Sequence, residues 1–90
     1  MNETISTRSL WCSAYLVLKG HKLITFELIT PHNGHFIFEC SESVRKAVTD
    51  FYTKDPQVRV RDYLQKYNAL RDLVMHTKRE ANINQGRIAR

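Results

Sequence analysis

The sequence predicts a small α+β domain, and three observations carry that expectation. Alternating apolar residues flank an Asn-Gly turn in the middle of the chain, and helical spacing governs the stretch after Ser41. Ninety residues leave room for one core only. A chain of this length buries roughly 60–65% of its unfolded surface, so its margin of stability is thin.

Residues 1–6 read as a frayed start. Ser6 or Thr7 can then cap a helix by accepting from a free backbone N–H, and Gly20 can end it in the left-handed conformation. Between them, Leu10, Ala14, Val17 and Leu18 make one apolar stripe and Trp11, Tyr15 and Leu18 another. So wide an apolar face calls for cover on more than one side. A strand is the competing reading, because Trp, Tyr, Val and Leu also suit β-structure.

In the centre, Ile24, Phe26 and Leu28 alternate with Thr25, Glu27 and Ile29. Phe36, Phe38 and Cys40 alternate with His35, Ile37 and Glu39. With Pro31-His32-Asn33-Gly34 between the two runs, the pattern is a β-hairpin with one buried face, its turn using positive φ at Asn33-Gly34. Leu23, Ile29 and Ile37 are expected on the outer face.

A second helix follows Ser41 as cap, with Val44, Ala47, Val48, Phe51 and Tyr52 at helical spacing and Glu42 in the first turn. Lys54-Asp55-Pro56 breaks it. A third starts between Pro56 and Asp62 and runs to about Glu80, its inner face Val60, Tyr63, Leu64, Tyr67, Leu70 and Val74. The order is α-β-β-α-α, a β-hairpin packed on one face by helices. Residues 1–81 form the single domain, and 82–90 a flexible basic tail.

Some of these segments carry a resemblance. The run 14–23 (Ala-Tyr-Leu-Val-Leu-Lys-Gly-His-Lys-Leu), Phe36-Ile37-Phe38-Glu39 with Ser41, the pair Phe51-Tyr52 and the later Tyr63-Leu64, Leu70 and Leu73 resemble a family of short domains from bacteria, phages and mobile elements. The likeness covers roughly residues 9–76. That family is one of unknown function; the resemblance implies the α-β-β-α-α order and a phage or mobile-element setting, and transfers no catalytic or binding residue.

Composition excludes several classes. With 42% hydrophobic and 26% charged residues, three Gly and two Pro, the chain is neither disordered nor of low complexity. Its longest near-apolar run, Leu10 to Leu18, is about half the ~20 residues that span a bilayer. Glu3 interrupts what would be a basic leader, and Lys19 and His21 stand where a signal peptide needs small residues. The expected location is therefore the cytoplasm, with Cys12 and Cys40 as reduced thiols.

No constellation of catalytic residues emerges. His32 and His35 suggest zinc, but Cys40 is five positions from His35 on one strand and points to the opposite face, so the ligand set is incomplete. Cys40, sharing a face with Phe36 and Phe38, reads as a small buried hydrophobe, as does Cys12 on its apolar helix. Lys19-Gly20-His21-Lys22 has one glycine and is no phosphate loop. No enzyme activity and no cofactor are expected. Among the aromatic residues, only Trp11, Tyr15 and Tyr52 are candidates for surface rings, and packing is the better reading of each.

Charge is the remaining signal. Residues 1–56 balance six bases against six acids, whereas residues 57–90 hold eight bases against three acids, so the whole net charge of +5 falls in the last third. The candidate nucleic-acid-binding residues are Arg59, Arg61, Arg71, Lys78, Arg79, Arg87 and Arg90. At 100° per residue, Arg61 and Arg79 share one flank of the apolar stripe and Arg59 and Lys66 the other, where Asp62 can pair with Lys66. The expectation is a non-enzymatic accessory protein that binds phosphates through this helix and tail. The alternative is a protein-interaction or dimerisation module, an adaptor or inhibitor, using the hairpin edge and first helix; two open sheet edges favour a homodimer.

Overall fold

In the computed structural model the backbone is described for residues 3–30 and 33–88, and side chains as far as residue 81. Three strands and three helices follow one another as β1 (Thr4–Thr7), α1 (Leu10–Leu18), β2 (Leu23–Leu28), β3 (Gly34–Glu39), α2 (Glu42–Thr53) and α3 (Val60–Ile88). The class is α+β, as the patterning predicts, with one strand more than the hairpin.

That strand is the segment expected to fray. β1 runs antiparallel to β3, with Ile5 opposite Phe38 and Thr7 opposite Phe36, so the sheet order is β1-β3-β2 and β3 is central. Thr4 and Ser6 are exposed while Ile5 and Thr7 are half-buried. A strand with one strongly apolar residue has almost no period to detect, yet its main chain completes the ladder of β3.

β2 departs from simple alternation. Leu23 pairs with Phe38 but Thr25 pairs with Ile37, so Ile24 is an extra residue in a β-bulge. The bulge turns Leu23 onto the core face, against expectation, and leaves Ile24 about half exposed at 53%. Beyond it, Phe26 stands opposite Phe36 with ring centroids 4.8 Å apart. Phe36 and Phe38 are fully buried.

Gly34 does not have the positive φ expected of it, and among the described glycines only Gly20 has it; the expected turn residues Pro31 and His32 lie outside the described residues. Instead the Asn33 carbonyl accepts from the amides of Ile29 and Thr30. Gly34 is required for space: a Cβ there would lie 2.5 Å from Phe26 Cζ and 2.7 Å from the Glu27 carbonyl oxygen.

Ser9, rather than Ser6 or Thr7, caps α1, its hydroxyl accepting from the Cys12 amide at 3.0 Å. Thr7 in turn accepts from the Ser9 amide at 3.1 Å and so bends the chain out of β1. At the other end Gly20 has φ 92°, the Gly20 amide bonds the Val17 carbonyl and the His21 amide bonds the Leu16 carbonyl. That pair of bonds is the Schellman closure, which needs a left-handed residue. Cys12, Ser13, Ala14, Tyr15 and Leu16 are consecutive and all buried, so the middle of α1 is covered all round, and the helix contacts α3, α2 and β1.

Ser41 caps α2 as expected, accepting from the Val44 amide at 3.1 Å, and Val44 and Ala47 reach the core. α3 presents Tyr63, Tyr67, Leu70 and Val74 inward, joined by Leu73. Val60 and Leu64, expected on that face, are exposed at 68% and 43%. The buried line centres on Leu70, and at 100° per residue Val60 and Leu64 fall over its edge. The α3 backbone continues past Glu80 to Ile88. The side chain of Arg87 and the whole of Arg90 lie outside the described residues.

Candidate nucleic-acid interface

Every described candidate residue except Arg59 projects from α3. Arg59 immediately precedes the helix, and its carbonyl accepts the Tyr63 amide at 2.9 Å. Arg61 and Arg79 are eighteen positions apart, five complete turns, so they share one line along the helix. That line lies opposite the buried Leu70, not on a flank as the sequence suggests, and both side chains are exposed. Arg71 and Lys78 share a second line on one shoulder, together with the exposed Val60 and Leu64. The cations therefore form two tracks and no single stripe.

Ion pairs are few among the described residues, and Arg8, Lys19, Lys22 and Lys46 are in none. Among the described residues, Arg45 meets Glu3 at 3.4 Å and Lys54 meets Asp50 at 3.5 Å, both at α2. None of Arg59, Arg61, Lys66, Arg71, Lys78 or Arg79 is in an ion pair with another described residue. The expected Asp62–Lys66 pair is not formed, because Lys66 is drawn half into the body while Asp62 stays exposed.

Packing adds a cation that the sequence gives no means of finding. Arg8, between β1 and α1, joins Lys78 at a cavity of about 190 Å³ whose apolar floor is Leu10, Phe26, Phe36 and Val74. Its described lining carries no carboxylate. Two positive side chains without a neutralising partner make this mouth attractive to anions.

Trp11 and Tyr52 are surface rings, 52% and 62% exposed, whereas Tyr15 is buried. Trp11 lies over Tyr67 with centroids 4.3 Å apart, and Tyr63 stands 6.0 Å away and nearly parallel, at 15°. The Tyr63 hydroxyl donates to the Trp11 carbonyl at 2.7 Å. Burial, helped by nearby Cys12 and Tyr67, pushes the Tyr63 pKa up, so the hydroxyl keeps the proton it donates.

The two thiols differ in their surroundings. Burial raises the Cys12 pKa, with a hydrogen bond to Tyr52 acting the other way, so Cys12 stays a thiol. Cys40 is half-buried rather than buried, because it follows the end of β3; its sulfur accepts from Arg45 Nε at 3.1 Å. That bond raises the Arg45 pKa further. Among the described residues no three His, Cys, Asp or Glu side chains converge as a metal would require. His35 sits 3.9 Å from Glu27, and His32 lies outside the described residues. Nor is any described helix long and apolar enough to cross a membrane.

These features define a small α+β domain with helices on one face of a three-stranded sheet and an unpaired basic helix surface. Over residues 2–76 it matches the family described as Domain of unknown function (DUF5659), and the chain belongs to that family. No curated protein and no solved structure matches it.

Proposed function

We propose that this protein is a non-enzymatic accessory factor that binds nucleic acid through α3 and the residues after it. One observation carries the reading: Arg61, Lys66, Arg71, Lys78 and Arg79 have no ion-pair partner among the described residues, although Asp62 and Asp72 lie on the same helix. Unpaired Arg and Lys are free to replace the counterions condensed on phosphates, which is the main source of non-specific affinity. Arg61 and Arg79 on one track, and Arg71, Lys78 and Arg8 on the other, supply phosphate contacts. Such contacts carry no sequence information.

Titration of a fluorescent oligonucleotide at several salt concentrations tests this. Log K should fall linearly with log[salt], with a slope near −0.9 per phosphate neutralised on duplex DNA. Deleting residues 82–90, which removes Arg87 and Arg90, should flatten that slope by about one to two units. Lys78→Glu with Arg79→Glu should weaken binding further, about equally for all sequences. Absence of binding near 100 mM salt, or binding indifferent to both changes, overturns the reading.

A second reading, a homodimer or protein-interaction module of phage or mobile-element type, is favoured by Val60, Leu64 and Met75, all exposed on α3. β1 covers the side of β3 that the hairpin would leave open, so the sheet edges available for such a contact are the outer sides of β1 and β2. Sedimentation at micromolar concentration decides whether the chain self-associates.

A further inference from the structure

Trp11 is the single tryptophan of the chain and comes from α1, outside the basic third. Tyr67 and Tyr63 lie against its indole, with ring centroids 4.3 Å and 6.0 Å away, while about half of the residue, 52%, remains open to solvent. An indole exposed this far is usually mobile; here two tyrosines back it, and its main chain is tied to α3 by the Tyr63 hydroxyl. The ring is thus held ready as a flat apolar platform.

Cations frame that platform. Arg59 precedes Tyr63 by four residues and Arg71 follows Tyr67 by four, so they stand about one helical turn beyond either tyrosine. Both are exposed, and neither has an ion-pair partner among the described residues. At the helical rise their Cα positions are about 18 Å apart, a length that several phosphates of an extended strand can follow. Aromatic faces that stack on bases, within a positive track that follows the backbone, are how single strands are held without sequence preference. In a duplex the bases are stacked on each other and offer no free face to an indole.

We propose that the Trp11–Tyr63–Tyr67 cluster is a base-stacking site and that the protein's preferred ligand is single-stranded nucleic acid. The inference rests on the nucleic-acid reading and narrows it to one ligand class. Lone-base stacking falls to Trp11, with Arg59 and Arg71 on the flanking phosphates.

Because Trp11 is the only tryptophan, its fluorescence reports on the site directly. Titrating the full chain with oligothymidylate should quench that emission in step with binding, and a duplex of equal length should bind more weakly and quench little. Trp11→Leu should weaken oligothymidylate binding about tenfold or more while leaving duplex affinity unchanged, and Trp11→Phe should recover most of the loss. Circular dichroism melts of both variants establish that the fold persists. If Trp11→Leu does not fold, Trp11→Phe and the wild-type quenching still decide the matter. Salt-dependent binding with unchanged Trp11 emission, or equal affinity for single strand and duplex, overturns the stacking site and leaves the phosphate reading intact. No binding to either overturns both.

Discussion

Leu23 stands opposite Phe38 across the β2–β3 ladder, although the alternation continued from Phe26 would turn Leu23 outward. The inserted Ile24 makes the difference, and it sets apart two neighbouring residues of almost equal hydrophobicity. Leu23→Ala should destabilise by about 2–3 kcal/mol, and Ile24→Ala by less than about 0.5 kcal/mol. Phe38→Ala should cost about 3–5 kcal/mol, enough to unfold a domain of this size. Urea denaturation of the three variants checks the order, and equal effects at 23 and 24 would remove the bulge.

Two glycines should respond to alanine for opposite reasons. At Gly34 the new methyl meets Phe26 and the Glu27 carbonyl, so the ring or the strand has to shift, at about 1–3 kcal/mol. At Gly20 nothing lies within 4 Å, and the cost of about 1 kcal/mol comes from φ 92° alone. The melt of Gly34→Ala should also broaden as Phe26 loses its single packed position, whereas Gly20→Ala should keep a sharp transition.

The alkaline limb of stability should come from Cys12 and Tyr63. Both are acids whose pKa is raised in the folded chain above the ordinary 9.0 and 10.0, chiefly by burial. Above pH 9 the unfolded chain therefore releases protons that the folded chain retains, and stability declines as pH rises through the folded values. Below that window their contribution is constant. Denaturant midpoints between pH 8 and pH 10.5 should fall for the wild type and fall less steeply for Cys12→Ala.

β1 should matter more than its four residues suggest. Ile5→Asp places a charge against Phe38, and the strand should detach, exposing one edge of β3. The expected outcome is self-association of the variant beyond that of the wild type, seen as a higher sedimentation coefficient at equal concentration. Ile5→Val should behave as wild type.

How far the sequence was legible depended on how local the cause was. α2 could be read apart from Tyr52, expected to pack but 62% exposed, because Ser41, Glu42, Val44 and Ala47 act within two turns of one helix. Phe26, Phe36 and Phe38 were placed correctly by period two. β1 was missed because its partner is over thirty residues away and Ile5 alone makes no pattern. A larger separation in sequence hid the placing of Arg8 and Lys78 at one cavity, which exists only once α1 and α3 are packed. Trp11 was noted as a ring that could reach the surface, but its tyrosine backing depends on how α1 crosses α3.

The central place of β3 also orders events on the ribosome. β1 is made first, yet its partner is complete only when Glu39 has been added, with α1 and β2 in between. At ~5–20 residues per second, the nascent chain carries an unpaired β1 for roughly 2–6 s while residues 8–39 are added. β2 meets β3 across a short turn and needs no such wait, so the hairpin is the natural template on which the older strand docks. Translation speed between Arg8 and Glu39 is thus the interval in which Ile5 is open to wrong partners.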